Sequence, residues 1–241
     1  MSYSTNMRVL IIGFLVFVSV SGVGQVASGK IVFERKTNLL KKYTDDRMKA
    51  WLKDKKLKID MFELYFNDTM SVFKPQESDL AEQMDWSTTK NTVYQNLNQN
   101  QRLSVLGVWG DNVYVLDTLN VREWKMTSSN RKIAGYECRR VIWQKNDTTR
   151  IHAWYTPEII PSVGPESFGG LPGTILGLAT EDGGVVYFAK SVEVGVKDIA
   201  SHIPEYPAKK VKTEAELRIE LAEKFGGKPW GKLMLEGLFA W

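Results

Sequence analysis

Hydrophobic residues recur at every second position through much of the chain. After Asp60, the residues Phe62, Leu64 and Phe66 alternate with more polar neighbours, and Asn67-Asp68-Thr69 supplies a turn. Alternation of this kind is typical of half-buried β-strands. It recurs in further segments, at residues 30–36, 112–116, 121–126, 132–144, 150–155, 174–178 and 185–194. The pattern therefore predicts successive β-hairpins.

Two segments have a helical pattern instead. Residues 39–58 place their apolar side chains roughly on one side, among many lysines. Near the end of the chain, Thr213 and Glu216 have the spacing of a capping box, and Gly226-Gly227 is a typical helix end. We therefore predict one helix near each end of the chain.

These elements predict a mainly β fold with flanking α-helices. We expect a single antiparallel sheet curved over its core, for which a half-barrel is one possible form. Residues 76–102 are polar with little periodicity, which indicates an exposed connection or irregular strands. No repeat or domain boundary is evident, so residues 29–241 are predicted to form one β-rich domain with a helical tail from about residue 205.

The first 28 residues differ in composition from the rest. Arg8 precedes an apolar run at residues 9–20, and small residues follow it. This order is typical of a secretory signal peptide, with cleavage after Gly24, Ala27 or Ser28. An uncleaved anchor or a buried helix is the alternative, although the run is shorter than the ~20 residues of a membrane span. We therefore expect an exported protein with no transmembrane span in its mature chain.

Composition narrows the function classes. A net charge of +4 is too small to indicate nucleic-acid binding. One Cys and two His exclude zinc sites built on four thiolates or on two thiolates and two imidazoles, and we expect no metal and no cofactor. Cys138 is expected to be a small buried hydrophobe, with a reactive thiol as the alternative. The lysines near residues 41–58 form either a solvated helix face or a contact for anionic lipids.

A proline- and glycine-rich loop occupies residues 156–173. Four prolines fix φ and remove backbone donors, while four glycines allow positive φ and close backbone approach. Such a rigid segment can cross between strands and close one end of the core, or it can bind a ligand. For the binding alternative, the predicted site residues are Gly169, Gly170, Leu171, Pro172 and Gly173, with Trp154 and Tyr155 on the preceding strand.

The loop carries a family resemblance. Trp154-Tyr155-Thr156-Pro157, Phe168-Gly169-Gly170-Leu171-Pro172-Gly173 and the upstream Gly135-Tyr136-Glu137-Cys138 resemble the GLPGLI family of exported bacterial proteins. The resemblance implies a periplasmic or outer-membrane-associated protein of Gram-negative bacteria, and it implies no particular activity. This chain departs from the family in having Thr174 where the family has Leu, and Glu166 where a Trp often follows Gly-Pro.

Three functions remain open. The first is a non-catalytic accessory protein that binds an envelope protein, a peptide or a lipid. The second is a subunit of an outer-membrane transport or secretion assembly, anchored by Trp230 and Trp241. The third is a hydrolase at the proline–glycine loop, in which His152 or nearby carboxylates would act. Those carboxylates are Glu158, Glu166, Glu181 and Asp182.

Three Asp-Thr turns resemble a short bacterial O-glycosylation motif. They are Asp68-Thr69-Met70, Asp117-Thr118-Leu119 and Asp147-Thr148-Thr149. Asp-Thr pairs are also common in turns because their side chains bond the local backbone. Glycosylation is therefore a hypothesis that intact-mass measurement would test.

Overall fold

The computed structural model describes residues 25–52, 55–77, 84–108, 110–228 and 230–239. Most of the predicted signal peptide, residues 1–24, lies outside these ranges. No helix among the described residues is long and apolar enough to cross a membrane.

The described residues form twelve strands. These are β1 (Gly29–Asn38), β2 (Leu57–Phe66), β3 (Met70–Pro75), β4 (Thr92–Asn96), β5 (Gln101–Val108), β6 (Asp111–Thr118), β7 (Trp124–Ile133), β8 (Tyr136–Asn146), β9 (Thr149–Thr156), β10 (Thr174–Thr180), β11 (Val185–Val194) and β12 (Val211–Lys212). All twelve belong to one sheet, in the order β12-β6-β5-β4-β3-β2-β1-β11-β10-β9-β8-β7. Two meanders, β2 to β6 and β7 to β11, therefore flank β1.

The predicted mainly β fold is confirmed, with one difference in strand direction. Neighbouring strands pair antiparallel except β12, which runs parallel to β6 through Val211 and Lys212. The sheet is therefore mixed at this edge. It is open, because β7 and β12 are its two ends in the strand order.

A short connection shows how strongly the sheet curves. Ten strand-to-strand steps separate β6 from β7 in the sheet order, which would be about 48 Å in a flat sheet. Only residues 119–123 join these strands, and a fully extended connection of that length spans about 20 Å. The sheet must therefore curl until its two edges approach each other, as the predicted curvature requires.

The main hydrophobic core lies on the inner face of the curled sheet. Its largest fully buried side chains come from β1 and from strands on both sides of it, and they include Phe33, Phe62, Phe73, Tyr155 and Tyr187. Phe62 stacks on Phe73 with their ring centroids 4.9 Å apart. Because this core draws on both meanders, it joins the two halves of the sheet.

The helices differ from the prediction at the N-terminal end. Residues 39–58 contain two short helices, α1 (Leu39–Lys42) and α2 (Asp46–Leu52), followed by the start of β2. The predicted single helix is therefore wrong. The Asn38 side chain caps α1 by accepting from the backbone N–H groups of Leu40 and Lys41. The chain then leaves the helical conformation at Tyr43, whose φ and ψ are extended.

The C-terminal prediction was more accurate. Helix α3 (Glu214–Phe225) begins with the predicted capping box between Thr213 and Glu216. A further helix, α4 (Gly231–Leu238), was not predicted. Together the two helices cover β5 and β6 through a second apolar cluster, formed by Leu106, Val115, Leu217, Leu221, Leu238 and Phe239.

The predicted strands also differ from the structure at one boundary, and β5 and β12 were not predicted. The predicted strand at residues 132–144 is interrupted by a hairpin turn at Ala134-Gly135, where both residues have positive φ. Two-residue turns with this backbone suit the twist of hairpins. The polar segment 76–102 contains β4, whose Val93 and Gln95 face the core.

Candidate functional site

The proline–glycine loop fills the inside of the curled sheet. It comprises residues 157–173, because Thr156 is the last residue of β9. Ile159, Val163, Phe168 and Leu171 belong to the main core. The contacts described below join the loop to β1, β4, β7 and β11, which are spread across the sheet. The loop is therefore a packed part of the interior, in agreement with a crossover that closes the core.

Hydrogen bonds within the loop fix its shape. The Ser162 hydroxyl accepts from the backbone N–H groups of Gly170 (2.8 Å) and Leu171 (3.0 Å). The Thr174 hydroxyl donates to the carbonyl of Pro161 at 2.6 Å. This bond satisfies a fully buried hydroxyl at the position where the chain departs from the resembled family.

Glu166 is the most unusual residue of the loop. It is 3% exposed and has a φ of 56°, a conformation that is uncommon for residues other than glycine. The Tyr187 hydroxyl donates to its carboxylate at 2.6 Å, and the Arg35 guanidinium lies 4.0 Å away. Burial raises the pKa of Glu166, and Arg35 and Tyr187 oppose that rise. A strained backbone and a buried carboxyl group at one position are features that cluster at functional sites.

Arg35 connects Glu166 to a second buried carboxylate. It donates to Asp60 through two nitrogens, at 2.7 and 3.2 Å, and to the carbonyl of Thr89 at 2.8 Å. Burial alone would raise the pKa of Asp60, but Arg35 and Lys58 outweigh burial and hold that pKa below its usual range. Lys58 is one of the lysines at residues 41–58 for which a solvated face or a lipid contact was predicted. It is instead 8% exposed, with its Nζ 3.3 Å from the Asp60 carboxylate.

Ser167 forms a second polar centre beside Glu166. Arg122 donates to its carbonyl at 3.0 Å and to its hydroxyl at 3.2 Å, and Gln95 donates to the same carbonyl at 3.4 Å. Arg122 lies over the Phe168 ring at 4.0 Å from the centroid. Arg122 belongs to the short connection between β6 and β7, residues 119–123, so the loop contacts that connection.

A cleft of about 700 Å³ opens where the loop meets this connection. Its apolar lining includes Leu97, Leu119, Val121, Ile160 and Pro161. Its polar lining includes Asp68, Asn100, Asn120, Ser162 and Arg122. A concave, largely apolar site of this size with a few polar groups is typical of small-molecule binding sites.

The predicted site residues are not all brought to this cleft. Gly170 lines it. Gly169 is buried, and its carbonyl accepts from the Trp124 indole at 3.0 Å. Leu171 belongs to the core, Pro172 is exposed, and Gly173 is buried in a positive-φ conformation against the Thr156 carbonyl.

The two predicted aromatic site residues point to opposite faces of the sheet. Tyr155 is 1% exposed in the inner core. Trp154 packs against Phe188 on the outer face, with their ring centroids 5.5 Å apart, and Gly177 lies between them in the strand register. A side chain at position 177 would collide with Phe188, so the glycine permits this contact.

The residues proposed for a hydrolase do not form a common site. His152 shares the outer face with Trp154, whereas Glu166 bonds Tyr187 on the inner face. Burial lowers the pKa of His152, and Arg140 lowers it further. Glu181 pairs with Arg150 at the surface. Within the described residues, no group of three or more His, Cys, Asp or Glu side chains is placed to hold a metal ion.

The other carboxylates proposed for catalysis have separate structural roles. Glu158 accepts from the backbone N–H of Glu137 at 3.3 Å. Asp182 accepts from the Thr180 hydroxyl at 2.6 Å and from the backbone N–H of Gly184 at 2.9 Å. Both therefore stabilise local backbone structure.

Comparisons with known proteins give no specific activity for this chain. A family model described as "Protein of unknown function (Porph_ging)" matches residues 143–177, which include β9 and the loop. No curated protein matches the chain significantly. The match supports likeness to an uncharacterised family and does not extend to the name GLPGLI.

The fold itself has solved counterparts. Two crystal forms of PNGF-II, in space groups P21 and C2, each superpose with a TM-score of 0.55 at 16% identity, over 80% of this chain. The aligned part is 32% of PNGF-II, so this chain corresponds to about a third of that protein. An uncharacterised conserved protein from Thermus thermophilus superposes with a TM-score of 0.41 at 7% identity, over 78% of this chain and 91% of that protein. The PNGF-II likeness concerns the fold alone.

Two features were not predicted from the sequence, one on the surface and one in the interior. Trp51 and Trp86, each 58% exposed, pack together with ring centroids 5.8 Å apart, and Trp86 also contacts Tyr43. The buried roles of Arg35 and Arg122 were also missed. The only available signal was their position beside apolar residues in or next to a strand.

Changing Glu166 to Gln tests the buried carboxyl. Because the pKa of Glu166 in the folded protein is raised above 4.5, its favourable contribution to the free energy of unfolding is complete below pH 4.5. That contribution is lost as the pH rises through the folded pKa. Gln resembles the protonated form, so the stability of Glu166→Gln relative to wild type should increase between about pH 4 and about pH 8. Urea unfolding at both pH values measures this. Glu181→Gln controls for loss of an exposed carboxylate, and a flat difference for Glu166→Gln would contradict the assignment.

Proposed function

We propose that the protein is an exported, non-catalytic binding protein of the bacterial cell envelope. The cleft between the proline–glycine loop and the 119–123 connection is its ligand site. The observation that carries the proposal is the cleft of about 700 Å³, which is lined on one side by a loop whose shape is fixed by internal hydrogen bonds. A wall that is already ordered loses little entropy when a ligand binds.

The lining favours an amphipathic small molecule such as a lipid. Val121 is 95% exposed and Ile160 is 48% exposed, so the apolar wall gains by being covered. Arg122 and Asn120 supply polar groups at one side. The sequence left an envelope protein, a peptide or a lipid as candidate ligands. A lipid fills a concave apolar cleft better than the flat surface of a protein can.

Export rests on the N-terminal sequence. The basic residue, apolar run and small residues within 1–28 have the order of a signal peptide. The single cysteine agrees with a fold that is stable without an internal disulfide. In the structure that cysteine, Cys138, is fully buried, and burial raises its pKa to about 12.

A second candidate is a subunit of an envelope assembly. The exposed pair Trp51 and Trp86 favours it, because paired exposed tryptophans are typical anchors of protein interfaces. Of the two anchors expected from the sequence, Trp230 is 47% exposed, and Trp241 lies outside the described residues.

Ile160→Asp tests the cleft, with Ile219→Asp as its matched control. Ile160 lines the cleft, whereas Ile219 is 61% exposed on α3. The uncharged lipophilic probe N-phenyl-1-naphthylamine should bind the wild type and Ile219→Asp alike, and Ile160→Asp at least about tenfold more weakly, since a carboxylate would be desolvated. Fluorescence titration measures the affinities. Equal binding by all three proteins, or none by the wild type, would refute the ligand site.

Export is tested separately in the producing bacterium. The mature protein is expected in the envelope fraction with its N-terminus between Gln25 and Gly29, after cleavage of the signal sequence. Cell fractionation followed by N-terminal sequencing measures this. An intact N-terminus on protein confined to the cytosol would rule out export while leaving the cleft untouched.

A further inference from the structure

An aromatic patch formed by Tyr43, Trp51 and Trp86 lies beside the connection from β1 to β2. Trp51 and Trp86 are each 58% exposed, and their ring centroids are 5.8 Å apart. The Tyr43 ring lies 6.0 Å from that of Trp86, so the three rings are contiguous. They come from the residue after α1, from α2 and from a short 3-10 helix at Asp85–Ser87. Large aromatic side chains exposed together in this way indicate an interaction surface.

Contacts with the rest of the fold hold this patch in place. The Tyr43 hydroxyl and the Lys42 ammonium both donate to the backbone carbonyl of Ser87, at 3.1 and 2.7 Å. These bonds join the end of α1 to the 3-10 helix that carries Trp86. Leu52, the last residue of α2, is fully buried and anchors that helix. Because the rings are already positioned, little ordering entropy is lost when a partner binds.

Positive charge is concentrated in the same segment of the chain. Residues 41–56 contain seven Lys or Arg and three Asp, a net charge of +4 that equals the net charge of the whole chain. The rest of the sequence is therefore neutral on balance. Five basic side chains of this segment are exposed, namely Lys41, Arg47, Lys49, Lys55 and Lys56. The excess of positive charge thus lies at the surface.

The neighbouring carboxylates do not neutralise these cations. The exposed cations on and after α2 form no ion pair with another residue that the structure describes. Asp45 accepts from a backbone N–H in the first turn of α2 at 3.0 Å, and Asp85 forms an ion pair with Lys90 at 2.5 Å. Arg47 precedes Trp51 by four residues in α2, so the two side chains lie on the same side of the helix. The surface around the aromatic patch is therefore basic.

We propose that the aromatic patch and the basic residues around it dock the protein on an anionic lipid membrane. Trp and Tyr favour the boundary between water and a bilayer, because their rings are apolar and their N–H or O–H groups are polar. Lys and Arg beside them are attracted to anionic headgroups. Lysine is depleted in protein–protein interfaces, so the four exposed lysines favour a membrane over a protein partner.

This docking goes beyond the proposed function and holds whether or not the cleft takes a ligand. Co-sedimentation of the mature protein with vesicles tests it. Vesicles of equimolar phosphatidylcholine and phosphatidylglycerol should bind the wild type, and vesicles of phosphatidylcholine alone should bind it at least about tenfold more weakly. Added salt should weaken binding to the mixed vesicles, because it screens the attraction between exposed charges.

A pair of double variants tests the charges. Lys55→Gln with Lys56→Gln should bind the mixed vesicles at least about tenfold more weakly than the wild type, since each lysine near an anionic surface contributes to binding. Lys125→Gln with Lys132→Gln is the matched control, because it removes two exposed lysines from β7 instead. The control should bind the mixed vesicles as the wild type does.

Trp51→Ala tests the aromatic patch, with Trp230→Ala as its control. Trp230 is 47% exposed, and its ring packs on Phe225 in the helical tail. Trp51→Ala should weaken binding to the mixed vesicles about tenfold, and Trp230→Ala should leave it unchanged. Thermal unfolding checks that each variant is folded.

Three results would overturn the proposal. They are no binding of the wild type to the mixed vesicles, equal binding to both kinds of vesicle, and binding by either test variant as tight as that of its control. With no vesicle binding, the tryptophan pair is left to a protein interface. None of these results bears on the cleft, which the lipophilic probe tests separately.

Discussion

The architecture depends on the packing of one irregular loop inside a curled sheet. Glu166 lies 4.0 Å from Arg35 on the central strand β1, and its neighbour Ser167 accepts from Arg122 in the connection between β6 and β7. Buried charges are stabilised only when their partners are in place, so the sheet and the loop must be ordered together. The inner face is therefore not an empty cavity, and the accessible sites lie at the margins of the loop.

The same curvature creates the candidate site. The short 119–123 connection joins β6 to β7 beside the loop, and its residues 119–122 line the cleft. His152 and Trp154 lie on the outer face, whereas Glu166 lies on the inner face, and this geometry gives no support to hydrolysis at the loop.

Local patterns in the sequence predicted most of the strands and only part of the site. Alternation around Phe62 and Cys138 was sufficient for the sheet, and Thr213 with Glu216 was sufficient for the start of α3. The helix predicted at residues 39–58 failed because Tyr43 leaves the helical conformation and the chain enters β2. The buried contacts of Arg35 and Arg122 could not be predicted, because their partners lie far away in sequence and depend on how the sheet curls.

The central claim is that the loop is an ordered part of the interior, and amide hydrogen exchange tests it most directly. The amides of Thr174 and Ile175 donate to the carbonyls of Ile159 and Val163 across the loop, at 3.0 and 2.8 Å. They should exchange about as slowly as the amide of core residue Leu178, through the same global opening. Exchange at the rate of the exposed turn residue Asp68, while Leu178 stays protected, would contradict the account.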